Sequence, residues 1–191
     1  MVKATKTGSN SATIEFGTFP DSQLCHKDAG EPQINWVTYC PTTQFEVPAN
    51  SIVTVVIKNY DSPTALVNDY FRQVHGTIGG TMLLNGKPVT EVGAGDAGHT
   101  FTLQSEPGTA YPLFVSVPLV GVADDAPKVN VEDQSYPKPN VISFQFRTGA
   151  PGTYVWHCYV PCGIDRKPPY GFSGPMATTG YMAGTMTVSS Y

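Results

Sequence analysis

Gly152-Thr153-Tyr154-Val155-Trp156-His157-Cys158-Tyr159-Val160-Pro161-Cys162-Gly163 reads as a strand that runs into a cysteine. Alternation at a period of two puts Tyr154, Trp156 and Cys158 on one face and Val155 and His157 on the other. If the aromatic face fills a core, Cys158 emerges at the end of that face, shielded by rings. Downstream, Gly174-Pro175-Met176-Ala177-Thr178-Thr179-Gly180-Tyr181-Met182-Ala183-Gly184 is a methionine-bearing loop that leads into a last strand, Thr185-Met186-Thr187-Val188-Ser189. A thiolate and a thioether brought together by two strand ends form a soft donor pair suited to copper and to electron transfer.

The strand pattern continues upstream. Ala12–Phe16 alternates, and Ser51–Asn59 is an apolar, β-branched run stopped by Asn59-Tyr60-Asp61-Ser62-Pro63. Met82–Val89 reads as a hairpin around Asn85-Gly86, the pair favoured where both turn residues need positive φ. His99, Phe101 and Leu103 share one face of the next strand, and Ile142, Phe144 and Phe146 share one face of a later one. Residues 105–140 read as a long Pro- and Gly-rich connection with one short strand, Leu113–Val117. Residues 1–12 are polar and expected to be flexible. With no helical period, no internal repeat and no linker, the chain is expected to be all-β. The expected architecture is a two-sheet antiparallel Greek-key sandwich with long loops, in a single domain over 1–191.

Composition agrees and removes some functions. The chain has 191 residues with 19 Gly, 17 Pro, 10 Tyr and 9 Phe, a balance that favours strands and turns. Only 14% of residues are charged and the net charge is −4, which argues against nucleic acid or an anionic membrane as partner. No apolar run approaches the roughly 20 residues of a membrane span. Cys25 and Cys40 either form a disulfide or remain as two thiols. The disulfide is the expectation, and with it an extracytoplasmic home. The first ten residues lack the apolar core of a signal peptide, so that home implies a leader absent from this chain.

The stretches 45–61, Gly98-His99-Thr100-Phe101, Cys158 and Gly180-Tyr181-Met182-Ala183-Gly184 resemble the cupredoxin family of small blue copper proteins. The resemblance implies a cupredoxin-like sandwich in which His99 and Cys158 are equatorial ligands of one copper ion and Met182 is a weak axial ligand. The family places a second histidine between its cysteine and its methionine, whereas residues 159–182 contain none. Met176, Cys162 or His75 is the expected replacement, with Met176 nearest the family position and His75 the best remaining imidazole. Cys158-Tyr159-Val160-Pro161-Cys162 also resembles the thiolate pair of the dinuclear copper site in subunit II of haem–copper oxidases. That family's histidine and methionine fall here on Arg166 and Pro169.

Each of these residues has an ordinary structural explanation when taken singly. Cys158 and Cys162 can form a disulfide, His99 can be a buried histidine satisfied by a carbonyl, and the methionines can be core filler. His157 resembles the catalytic-copper histidine of nitrite reductases and multicopper oxidases, but it faces away from Cys158 and four histidines cannot build a second centre. Enzyme activity is therefore not expected. The expected function is copper binding with one-electron transfer or copper handling, served by a redox partner protein, with self-association open. The alternative is a metal-free interaction module closed by a Cys158–Cys162 disulfide.

Overall fold

Alternation in the sequence becomes alternation of burial along the central strands. The structure, a computed structural model, describes residues 1–22, 25, 36–64, 66–160 and 174–191. In chain order the strands begin with β1 (Val2–Lys3), β2 (Thr5–Gly8), β3 (Ser11–Ser22), β4 (Trp36–Cys40), β5 (Gln44–Pro48) and β6 (Ile52–Asn59). They continue with β7 (Met82–Leu84), β8 (Lys87–Val89), β9 (Ala97–Ser105), β10 (Phe114–Val120), β11 (Lys128–Val131) and β12 (Gln134–Pro137). The last three are β13 (Asn140–Arg147), β14 (Gly152–His157) and β15 (Ala183–Ser189). Helical turns among the described residues are short 3₁₀ pieces, and none is long and apolar enough to cross a membrane.

Two sheets form the sandwich. One has the order β1-β5-β15-β14-β9-β10, the other β2-β3-β6-β13-β7-β8 with β4 also on β3, and β11 and β12 form a separate hairpin. The all-β sandwich matches the expectation, with one refinement: β1–β5, β5–β15 and β3–β6 pair in parallel. Between β3 and β6 the chain crosses to the opposite sheet as β5 and returns, so the two strands run the same way.

In β6 the inward side chains Val53, Val55 and Ile57 are fully buried, and β13 answers with Ile142, Phe144 and Phe146 at the paired positions Ile57, Val55 and Val53. From the other sheet, Phe101 of β9 lies in the middle of the core. Its ring centroid is 6.5, 6.4, 5.7 and 5.2 Å from those of Phe16, Phe45, Phe144 and Trp156. Such pairs each contribute about 0.5–1.5 kcal/mol beyond their buried area. The hairpin at Asn85-Gly86 forms as expected, with φ of 49° and 82°.

Residues 1–12 carry β1 and β2 and enter β3. Ala4 N–H donates to the Glu46 carbonyl at 2.8 Å, and the Tyr191 hydroxyl reaches the carbonyls of Ala4 and Glu46 at 3.1 and 3.2 Å. The 105–140 connection holds more order than expected. β10 extends to Val120, and β11–β12 pairs Lys128 through Val131 with Pro137 through Gln134.

Cys25 and Cys40 form the expected disulfide, with Cα atoms 5.7 Å apart. Cys40 packs in a small second cluster with Phe19, Tyr60 and Tyr136. Closing a loop of separation 15 is worth about 3 kcal/mol. The double variant Cys25→Ala/Cys40→Ala should lose about that much in denaturant unfolding; a loss near zero would show that the bridge constrains little.

Trp156 is fixed by a polar bond as well as by packing. Its Nε1 donates to the Thr43 carbonyl at 3.1 Å, and Thr185 N–H donates to the same oxygen at 3.0 Å. Gly184 stands opposite Trp156, and a Cβ there would lie 1.9 Å from that oxygen. Gly184→Ala is expected to cost about 1–3 kcal/mol through forced displacement of strand β15. An unchanged melting midpoint would contradict the close approach.

Candidate metal centre

β14 ends at His157, and Cys158 leaves the strand on the core face with Tyr154 and Trp156, all three fully buried. Cys158 N–H donates to the Met182 carbonyl at 2.9 Å, which fixes this strand end against the turn preceding β15. On the other side, β9 pairs with β14 so that Leu103 faces Trp156 and Thr102 faces His157. That register brings the start of β9, with His99 and Thr100, alongside Cys158.

The sulfur sits in a polar cradle. Thr100 N–H points at Cys158 Sγ at 3.5 Å, and His99 Nδ1 lies 3.8 Å from it. The thiol reaches the Val160 carbonyl at 3.7 Å. Tyr159 N–H donates to Thr100 Oγ1 at 2.8 Å, tying the residue after the cysteine to the residue after the histidine. Thr100 Oγ1 also accepts from Thr102 Oγ1 at 3.1 Å, and Thr102 shares a 2.9 Å bond with Ser116 Oγ. All three hydroxyl residues are fully buried.

The far side of the imidazole is held by a carboxylate. His99 Nε2 donates to Asp61 Oδ2 at 2.8 Å, with the two side chains 2% and 19% exposed. Burial pushes the His99 pKa down, but the Asp61 bond, the Cys158 contact and both charges outweigh it and raise it to about 9. Burial pushes Asp61 up, while the His99 bond and charge and the Ser62 N–H bond outweigh it and hold the carboxyl below its ordinary value. Asp61 has no signal in the sequence. Asn59-Tyr60-Asp61-Ser62-Pro63 reads only as a strand stop, and the chain separates Asp61 from His99 by 38 residues.

The two facing donors fit a soft metal ion. A thiolate bond of about 2.3 Å and an imidazole bond of about 2.0 Å, subtending about 120°, place their donor atoms about 3.7 Å apart. The observed separation is 3.8 Å. Asp61, His99 and Cys158 also stand in the order of a thiol nucleophile, its base and the group that orients the base. Cys158 is fully buried, however, which suits a shielded ion better than attack on a substrate.

The remaining candidates lie in several places. Met182 is fully buried and directly engaged with Cys158 through its backbone carbonyl. Met176 is half-buried in the 3₁₀ turn Pro175–Ala177, which Met182 N–H joins at the Pro175 carbonyl at 3.1 Å. His75 is engaged beyond β10. Its Nε2 lies 3.1 Å from the Tyr70 carbonyl, its ring stacks on Tyr70 at 4.1 Å, and its backbone bridges Ser116. His157 projects from the opposite face of β14, edge-on to Tyr159 at 6.2 Å. Cys162, His26, Arg166 and Pro169 lie outside the described residues. Among the described residues, His, Cys, Asp and Glu side chains do not gather three to one point.

No family model matches the chain, and no curated protein matches it. Its structure is similar to that of dithionite-reduced auracyanin from the photosynthetic bacterium Roseiflexus castenholzii, with a TM-score of 0.44 and 15% identity over 95% of this chain and 99% of that one. It is also similar to auracyanin A, a "blue" copper protein from Chloroflexus aurantiacus, with a TM-score of 0.42 and 14% identity over 94% and 100% of the two chains. A variant of rusticyanin aligns with a TM-score of 0.42 and 13% identity over 95% and 80%. The sandwich and the site described above rest on this chain's own strand pairings and contacts.

The His99–Asp61 pair makes the metal-free protein sensitive to pH. His99 has an ordinary value of 6.5 and a folded value of about 9, so folding favours its protonated form. Its contribution is full below pH 6.5 and is lost as pH rises through about 9. Asp61 acts in the opposite sense, contributing above its ordinary value of 3.8 and losing that contribution as pH falls through its lowered folded value. Unfolding free energy should drop by up to about 3 kcal/mol between pH 6.5 and 9, and His99→Gln should flatten most of that slope. A slope equal in both proteins would refute the pairing.

Proposed function

We propose that the protein is an extracytoplasmic, cupredoxin-like copper-binding protein that carries single electrons or handles copper. The observation that carries this reading is the His99 Nδ1 to Cys158 Sγ distance of 3.8 Å between two side chains only 2% and 0% exposed. His99 and Cys158 would bind one copper ion directly, and Met182 or Met176, on the adjoining turn, would add a thioether. Copper held by thiolate, imidazole and thioether exchanges one electron between its two common states.

The chain's own residues supply the rest. Thr100 N–H points at the sulfur, where it would stabilise a thiolate, and Asp61 holds the imidazole. Trp156 and Phe101, stacked at 5.2 Å, belong to the same buried core as Cys158. A dry, bonded cradle limits rearrangement between the two charge states, as rapid electron exchange requires. The donor set is rich in sulfur and poor in imidazole, which favours the monovalent ion and keeps copper storage or delivery within the same reading. The Cys25–Cys40 disulfide supports the oxidising compartment. A redox partner protein would be the natural counterpart.

Stepwise copper addition to reduced, metal-free protein tests this. Cu(II) should produce an intense thiolate-to-copper absorption band, and Cu(I) should be retained against a competing chelator. Both properties should be lost in Cys158→Ser. No band together with no Cu(I) retention, or a Cys158–Cys162 disulfide in the native protein, would replace this reading with the metal-free interaction module.

A further inference from the structure

We propose that Asp61 is a positioning residue for this centre: its carboxylate fixes the His99 ring with Nδ1 toward Cys158, and its charge weights the bound copper toward the divalent state. The second half rests on the copper reading above, whereas the first concerns the protein alone.

Three observations carry the inference. The bond itself is short and shielded, with His99 Nε2 to Asp61 Oδ2 at 2.8 Å, the ring 2% exposed and the carboxylate 19%. An imidazole that gives its Nε2 proton to a carboxylate presents Nδ1 to whatever lies opposite, and here that is the sulfur. The carboxylate is fixed in turn. Its Oδ1 accepts from Ser62 N–H at 2.8 Å, the Asp61 carbonyl accepts from Val122 N–H at 2.8 Å, and the Asn59 amide binds the Val120 carbonyl at 2.9 Å.

The turn that carries Asp61 is also fitted closely to the neighbouring backbone. A Cβ on Gly98, the residue before His99, would lie 2.7 Å from the Ser62 carbonyl oxygen, and one on Gly121 would lie 2.2 Å from Pro63 N. Larger residues at either position would lift the turn away from β9 and β10. A carboxylate seated this closely is built into the fold, unlike a surface acid that finds a histidine by rotation.

The charge has a separate consequence. Behind a ligating imidazole, a carboxylate raises the basicity of Nδ1 and adds attraction that grows with the charge of the ion. An asparagine would keep an oxygen able to accept from Nε2 but would lose that charge. Loss of an outer partner of this kind costs about 10–100-fold in metal affinity. The loss should fall mainly on Cu(II), and each tenfold fall in the Cu(II)-to-Cu(I) affinity ratio raises a one-electron potential by about 59 mV.

The test compares the natural chain with Asp61→Asn, Asp61→Glu and Asp61→Ala, each first shown to be folded by a cooperative melt. In metal-free protein, nitrogen-15 spectra of the imidazoles should show a protected His99 Nε2–H, which disappears in Asp61→Ala. An unaltered signal in Asp61→Ala would overturn the positioning role. With copper, Asp61→Asn should weaken Cu(II) about 10–100-fold and Cu(I) by clearly less, and Asp61→Glu should recover much of the ratio. Equal weakening of both ions by Asp61→Asn would overturn the charge role and leave only a structural one. If the natural chain binds neither ion, the copper reading and the charge role fall together. The metal-free spectra still decide the positioning role.

Discussion

The antiparallel register between β9 and β14 is the constraint on which the site depends. Leu103 faces Trp156 and Thr102 faces His157, so the start of β9 must lie beside the residues that follow β14. A slip of one residue would reverse the faces of β14 and carry Cys158 out of the core with Tyr154 and Trp156. The register is held by burial on both sheets. Phe101 contacts aromatic rings from β3, β5, β13 and β14, and Trp156 adds its bond to Thr43.

Around that register the chain spends polar groups in an unusual place. Thr100, Thr102 and Ser116 are fully buried yet joined to one another, and Thr100 also receives the Tyr159 amide. Buried hydroxyls are costly unless bonded, and here they form a connected set. Their effect is to tie β9, β10 and the Cys158 strand end into one unit, so the sulfur cannot move independently of the imidazole. Asp61 extends the same logic to the far side of the ring, where a single carboxylate decides which nitrogen faces inward.

Metal binding and nucleophilic chemistry ask for similar residues but different surroundings. Both use a thiolate with a neighbouring imidazole, and both gain from a carboxylate behind the ring. An attacking sulfur needs an approach for its substrate, whereas an electron-carrying ion gains from exclusion of water. Cys158 is fully buried, which is what favours the reading proposed above. This is why burial, more than the identity of the three residues, guides the functional reading.

Much of the architecture was legible in the chain itself. Period-two patterns identified β6, β9, β13 and β14 and their inward residues, and Asn85-Gly86 marked its hairpin, because burial on one face leaves a direct imprint on residue order. The strands β1, β2, β4, β11 and β12 left little imprint, since they are short or are stabilised by backbone partners more than by an apolar face. Cys158 and His99 stood out by residue type and strand position. What only the tertiary structure decided is their mutual distance, the place of Asp61 behind the imidazole and the engagement of His75 with Tyr70. The physical reason is range: periodicity records which side of a strand is dry, while a bond between residues 38 or 59 positions apart exists only once two sheets have packed and set their register.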